Sequence, residues 1–383
     1  MTGWLTAEEV MDRLGLKPQT LYAYVSRGRI EARRDDGDAR RSAYRAADVA
    51  RLEKRRARGK GSAAVAEDAI AWGEPVLASS ITTIAHGKLW YRGQDAAALA
   101  ETARLEDVAR LLWDCGEERF PVQTNNIAPG RPHDRMFQAL AWRAATSPAM
   151  HGRRPEALYF EAASLLDLMV DAVAGGSADG PMHLRLGRAW GCDDAGTDLV
   201  RRSLVLLADH ELNASTFAAR VTASTGASLA ACALSGLNAL SGPLHGGMAV
   251  RVRSFCEEAQ KRGAHEAVTE RLASGGYIPG FGHPLYPHGD PRAKALLTAF
   301  APSNEHVALA GTVREITGEL PNIDFALTAL SDAAHLPDDA PFQVFATARC
   351  TGWIAHALEQ SRTGRLIRPR ARYIGIAPVA ALP

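Results

Sequence analysis

ASTGASLAACALSGLNALSG, residues 223–242, contains nothing larger than leucine and is dominated by Ala, Ser and Gly. Side chains this small let helix backbones approach closely, so the stretch reads as a tightly packed core helix. Working outward, ALAETARLEDVARLLWDCG (98–116) sets Leu99, Ala103, Val108 and Leu112 at helical intervals, and LVRRSLVLLADHEL (199–212) does the same. Alternating strand patterns are scarce, and no internal repeat or low-complexity run is evident. The body of the chain is therefore expected to be all-α.

The sequence has 383 residues, with 46% hydrophobic and 23% charged residues. That length suggests two or three folding units, and the composition is that of a soluble globular protein. No run of about 18 apolar residues offers a membrane span, and MTGWLTAEEVMDRLG has acids where a signal peptide would be apolar, so a cytoplasmic protein with no membrane partner is expected. Cys115, Cys192, Cys232, Cys256 and Cys350 are odd in number and never spaced as CxxC, which argues for reduced core residues.

Net charge is +1 overall, yet residues 1–60 hold fifteen Lys or Arg against nine Asp or Glu. This segment reads as a separate unit. Thr6 and Glu9 form a capping box opening a first helix that Gly15 stops, and LYAYVSRG is a second helix after Lys17-Pro18. IEARRDDGDARRSAYR forms two short strands about an Asp-Gly turn, and 46–58 a basic third helix. This arrangement resembles the winged helix-turn-helix of MerR and excisionase proteins. The resemblance implies DNA as a possible partner of residues 1–58, with 17–26 in a major groove and Arg33, Arg34, Arg40 and Arg41 at phosphates. Asp35, Asp36 and Asp38 dilute the wing, and a protein-docking role is the competing reading. Residues 59–67, GKGSAAVAE, form a linker.

Beyond the linker, four polar clusters interrupt the helices: HELNASTFAAR (210–220), SGPLHGG (241–247), PGFGHPLYPHGDPRA (279–293) and PNIDFAL (321–327). Each sets a titratable residue beside Gly, Pro or a helix start, where it is aimed into a cleft rather than packed in a core. His210, His245 and His283 lack the short ligand spacings of most zinc sites, so no metal is expected. Neither a GxSxG elbow nor a GxxxxGK[ST] loop is present, which leaves acid/base chemistry on a carbon acid.

These clusters, with LWYRGQDAAALA (89–100) followed by LLW, and ATARCTGWIAHALEQSRTGRLIRPRARYIG (346–375), resemble the successive signature blocks of the citrate synthase family over about residues 70–377. The resemblance implies a large helical domain (68–245 plus 335–383) and a small one (246–334) closing over the substrate in a homodimer. It assigns Asp324 as base on an acetyl-CoA methyl group, His245 as hydrogen-bond donor to the thioester oxygen, and His283 as the group polarising the oxaloacetate ketone. Arg292, Arg349 and His210 would bind oxaloacetate or citrate, Arg368 would reach the partner subunit's site, and Pro279, Gly280, Phe281 and Gly282 would lie at the CoA side. No permanent cofactor is implied, the CoA thioester being a cosubstrate. The products would be citrate, or 2-methylcitrate from propionyl-CoA. Met248-Ala249 after SGPLHGG, Pro284 after His283, Pro287-His288 and a short 121–200 stretch depart from the family pattern. With the appended helix-turn-helix they support a rival reading, a regulator sensing CoA or a dicarboxylate with little turnover.

Overall fold

A computed structural model of the protein describes residues 4–14, 16, 21, 24–25, 30–34, 42–57, 77–116, 125–371 and 373–375. They divide into two compact units, residues 1–78 with 370–383, and residues 79–369.

In the first unit the expected capping box is present. Thr6 Oγ1 accepts the Glu9 N–H at 3.3 Å and the Glu9 carboxylate accepts the Thr6 N–H at 2.7 Å, opening α1 (Ala7–Leu14). β2 (Ala32–Arg34) and β3 (Ser42–Arg45) are antiparallel, and β1 (Trp4–Leu5), which the sequence reading missed, pairs with the other edge of β3. α2 (Ala46–Ala57) follows β3 directly. Val10, Leu14, Leu21, Ile30, Tyr44, Val49 and Leu52 form the unit's own core. The Arg33 guanidinium lies 4.3 Å over the Trp4 ring. Gly15, most of the second helix, the Asp-Gly turn with Arg40 and Arg41, and the linker 59–67 lie outside the described residues.

The second unit opens with a meander the helical reading passed over: β4 (Thr82–Ala85), β5 (Lys88–Tyr91) and β6 (Gln94–Asp95). Its turns are His86-Gly87 and Arg92-Gly93, with φ of 53° and 71°, and 44° and 82°. Two successive positive φ values suit the twist of a tight hairpin. The helical spacing read over 98–116 breaks at Ala103-Arg104 into α3 (Ala96–Thr102) and α4 (Leu105–Trp113), because Asp107 Oδ2 caps the Arg104 N–H at 2.9 Å. Then follow α5 (Pro132–Thr146), α6 (Pro155–Ala174), α7 (Met182–Trp190) and α8 (Asp194–Leu207). α9 (Ala214–Ser224), α10 (Leu229–Leu240), α11 (Met248–Arg262) and α12 (Ala264–Ala273) come next. The chain closes with α13 (Pro291–Leu297), α14 (Asn304–Thr317), α15 (Ile323–Ala333) and α16 (Ala340–Thr363).

α16 is buried along most of its length, and the small-residue run 223–242 packs against it. A Cβ at Gly236 would lie 2.4 Å from the Trp353 indole, so only glycine allows this contact. The largest core gathers α3–α10, α13, α16 and one side of α15; a second gathers Val252, Phe255, Val268, Leu309, Val313 and Phe325. α15 thus faces two cores, Phe325 toward one and Leu327 and Leu330 toward the other. Cys232, Cys256 and Cys350 are buried as expected, whereas Cys115 and Cys192 are half-buried.

Candidate active site

Each of the four polar clusters occupies a junction between helices, and local chemistry fixes each one. His210 follows α8 and is 7% exposed. The next residue, Glu211, has φ of 52°, and its carboxylate accepts the Ile84 N–H at 2.7 Å, which clamps the bend to the meander. His245 sits between α10 and α11 in a loop so tight that a Cβ at Gly246 would lie 2.8 Å from Leu240. His283 follows Gly280 and Gly282, whose φ values of 86° and 67° favour glycine. Asp324 is in the first turn of α15, where Asn322 Oδ1 accepts its N–H at 3.0 Å. The same Asn322 donates to the Gly282 carbonyl at 3.1 Å, which ties the Asp324 and His283 segments together.

Hydrogen bonds constrain the proton on each histidine. The Leu285 N–H donates to His283 Nδ1 at 3.2 Å, so the ring carries its proton on Nε2. His245 Nε2 lies 2.9 Å from Ser215 Oγ, which in turn accepts the Trp353 Nε1–H at 3.1 Å. Ser215 also lies 2.7 Å from Asn213 Oδ1, so its one proton has two possible acceptors. His245 Nε2 also lies 3.3 Å from Asn213 Oδ1, so Ser215 and Asn213 together fix the orientation of the ring. The Tyr286 hydroxyl meets His210 Nε2 at 2.9 Å, and the rings of His210, His283 and Tyr286 pack with centroids 4.9–5.6 Å apart.

Burial is the dominant influence on the charges. It pushes His245 down to about 4, helped by Arg349, and His283 down to about 4, helped by Arg292. His210 is held well below its ordinary value by burial and then by Arg292, Arg349, His283 and His245. All three are neutral donors near pH 7. Asp324 moves the other way: burial raises it to about 6, although Arg292 and Arg349 oppose the rise. These mutual influences place His210, His245, His283, Asp324, Arg292 and Arg349 in one neighbourhood.

The two arginines are held differently. Arg292 is 3% exposed and its Nε and Nη2 are taken by Asp290 at 3.0 and 2.8 Å. Arg349 is 1% exposed and donates only Nε, to the Leu207 carbonyl at 2.9 Å. Its Nη2 is buried with no hydrogen-bond partner among the described residues, so the fork is vacant for a planar anion. A cleft of about 470 Å³ opens beside Phe281, Gly282, His283 and Glu319. Arg368 lies apart, exposed on the segment after α16, and joins none of these groups within its own chain. Met248 heads α11, and its sulfur accepts the Tyr277 hydroxyl at 3.4 Å. Among the described residues no three His, Cys, Asp or Glu side chains converge as a metal site.

Sequence reasoning singled out the three histidines, the aspartate and the arginines but missed Asn213, Ser215, Tyr286 and Asp290, which position them. Asn213 and Asp290 carry a local signal, since each is an N-cap whose side chain accepts backbone N–H groups of the following helix. Ser215 and Tyr286 act across 30 and 76 residues of chain, which no local pattern reveals.

Citrate synthase of Haloferax volcanii is 40% identical over 185 residues, covering 45% of this chain and 49% of that protein. Citrate synthase 2 of Bacillus subtilis is 38% identical over 185 residues (45% and 50%), and 2-methylcitrate synthase of Shewanella oneidensis is 32% identical over 198 residues (49% and 53%). The chain thus spans about half the length of the curated relatives it matches. The crystal structure of citrate synthase from Thermotoga maritima superposes with a TM-score of 0.66 at 27% identity, covering 81% of this chain and 96% of that one. Thermoplasma acidophilum citrate synthase, solved with carboxymethyl coenzyme A and oxaloacetate, shares the fold with a TM-score of 0.67 at 22% identity, covering 81% and 96%. A helix-turn-helix domain model matches residues 4–57. The model of the citrate synthase C-terminal domain matches residues 176–370, more than half of the sequence, and the chain belongs to the citrate synthase family.

Proposed function

We propose that the protein condenses acetyl-CoA with oxaloacetate and water to give citrate and free CoA, making it an acyltransferase that converts the acyl group to alkyl on transfer. The observation that carries this reading is a carboxyl raised to about 6, Asp324, sharing a site with neutral histidines and the vacant Arg349 fork. A thioester α-proton is weakly acidic, so its removal needs a base of raised pKa and fixed donors for the developing oxygen charge.

Asp324 takes the methyl proton. His245, with Ser215 supplying its Nε2 hydrogen bond, donates Nδ1–H to the thioester oxygen. The resulting enol carbon attacks the ketone, which His283 polarises with Nε2–H and protonates as the new bond closes. Arg349 grips one substrate carboxylate with two parallel bonds, while Arg292, having one terminal nitrogen outside its Asp290 pair, adds a further donor together with His210. Water then cleaves the thioester and releases CoA. Pro279–Gly282 lie at the CoA side, and the small domain 246–334 closes on the large one to exclude water. In a homodimer, Arg368 serves the partner's site. Propionyl-CoA, giving 2-methylcitrate, differs by one methylene worth about 1–3 kcal/mol in a pocket. No helix of the described residues is long and apolar enough to cross a membrane, which accords with a cytoplasmic enzyme.

The test is thiol release from acetyl-CoA, and then propionyl-CoA, in the presence of oxaloacetate; release from neither rejects catalysis. The helix-turn-helix match favours one second reading, a DNA-binding regulator that senses CoA or a dicarboxylate. It predicts salt-dependent binding of the full chain to duplex DNA, with an anisotropy change when oxaloacetate is added.

A further inference from the structure

Glu319 lines the cleft beside His283, is exposed, and takes part in none of the steps above. Its backbone is fixed on both sides. α14 ends at Gly318 with φ of 76°, and the Glu319 N–H donates to Thr317 Oγ1 at 3.0 Å. Immediately beyond, the Gly282 N–H donates to the Leu320 carbonyl and the Asn322 N–H to the Gly280 carbonyl, each at 2.9 Å, which zips 280–282 to 320–322. The carboxylate lies over Gly282 in the space a side chain would take, since a Cβ there would sit 3.0 Å from Oε1 and 3.1 Å from Cδ. Among the described residues no hydrogen bond or ion pair reaches that carboxylate. The other acid of the cleft, Asp290, is taken by Arg292 and by the Ile323 N–H at 3.1 Å, and no Lys or Arg lines the cleft among the described residues.

A polyanion is disfavoured where a free acid stands without a cation, whereas an uncharged chain bearing N–H groups finds an acceptor there. A CoA thioester presents its parts in order: the sulfur must come within reach of His283 and Asp324, the neutral arm with its amide groups follows, and the phosphates come last. We propose that Glu319 is a binding residue for the thioester, its carboxylate accepting an amide N–H of the uncharged arm. This rests on the acyl-CoA reading above. The arm is the part that passes Gly282 on the way to His283. A hydrogen bond to a carboxylate is about twice as strong as one between neutral groups, and on so firm a base it sets how far the thioester enters the cleft. Because the bond is made equally before and during the reaction, its loss falls on KM and spares kcat.

Thiol release from acetyl-CoA by the full-length protein, with oxaloacetate saturating, tests this when pantetheine, which has the arm without the nucleotide, is added as a competitor. Glu319→Ala should raise KM for acetyl-CoA and Ki for pantetheine by the same factor, about five- to tenfold, with kcat and KM for oxaloacetate unchanged. Glu319→Gln keeps one acceptor oxygen and should fall between the two. An unchanged KM and Ki, or no competition by pantetheine with wild type, overturns the proposal. So does a rise in KM without a rise in Ki, which places the acid at the nucleotide, or a fall in KM, which makes it only a repeller of phosphates. If wild type releases no thiol, the condensation reading fails instead, and calorimetric titration with pantetheine decides the proposal by itself. There a Kd raised by Glu319→Ala supports it, and an equal or lower Kd, or no binding by wild type, overturns it.

Discussion

Replacing Asp324 with asparagine should stabilise the protein while abolishing the proposed chemistry. The carboxyl stands at about 6 against an ordinary 3.8, a rise caused mainly by burial. About two units at about 1.4 kcal/mol each means that ionised Asp324 costs the native state about 3 kcal/mol at pH 7. Its place in the first turn of α15 returns about 0.5 kcal/mol through the helix dipole, which Asn would forfeit. A net gain of about 2.5 kcal/mol corresponds to a rise in melting temperature of roughly 4 °C for a unit of this size. The direction with pH follows from the shift. A carboxyl raised in the folded state favours folding below the unfolded value, and that advantage is lost as pH climbs through the folded one. The Asn variant should therefore match wild type near pH 4, draw ahead between 4 and 6, and hold a constant lead above. Differential scanning calorimetry of both proteins from pH 4 to 8, with thiol-release rates alongside, measures both effects. A variant less stable than wild type at pH 7, or a lead independent of pH, would refute the account of Asp324 as a desolvated base, as would turnover within about tenfold of wild type.

Because Asp324 must be ionised and His245 and His283 are already neutral above about 4, kcat/KM for acetyl-CoA with subsaturating oxaloacetate should rise through a single limb near pH 6. The limb in kcat, read with both substrates bound, should lie at higher pH; a profile that is flat or falls from pH 5 to 7 contradicts this. Ser215→Ala removes the hydroxyl 2.9 Å from His245 Nε2 and should lower kcat by about 10–100-fold with KM for oxaloacetate little changed. Gly236→Ala forces a methyl group against the Trp353 ring and should cost about 1–3 kcal/mol or more in denaturant melts; because Trp353 also bonds Ser215, kcat should fall with it. Arg349→Lys keeps the charge but not the fork, and should raise KM for oxaloacetate by at least about tenfold, as steady-state kinetics would show.

What the sequence disclosed followed from the physics of each feature. The run 223–242 announced close helix packing because its side chains are small, and Gly236 against Trp353 is that packing in detail. His245 and His283 stood out because glycines beside them permit loops that no other residue would allow. The meander at 82–95 was hidden because its strands are two to four residues long, too short to display a period. The break between α3 and α4 was hidden because both halves keep apolar residues at helical spacing, and only the Asp107 cap marks the second start. Nor could any pattern separate Arg292 from Arg349, since the difference lies in whether a distant fold leaves the fork filled or free. Asp209, beside His210 in the sequence, passed as part of a helical run because its partners on α16 lie more than a hundred residues away.

The electrostatics of the site also bear on the order of events. In the unliganded chain the arginines work against the base, since both pull Asp324 down while burial, with the Asp290 carboxylate adding to it, holds it at about 6. A dicarboxylate seated on Arg349, Arg292 and His210 brings two negative charges to the same neighbourhood and cancels that pull. Asp324 then rises further and becomes a stronger base, and His245 and His283 recover part of the basicity that the cations had taken from them. On the proposed chemistry, the site is thus least able to enolise a thioester when the acceptor ketone is absent and most able when it is present. That coupling needs no moving part: it follows from placing two buried cations within reach of one half-buried carboxyl, and it requires that both remain charged until the substrate arrives.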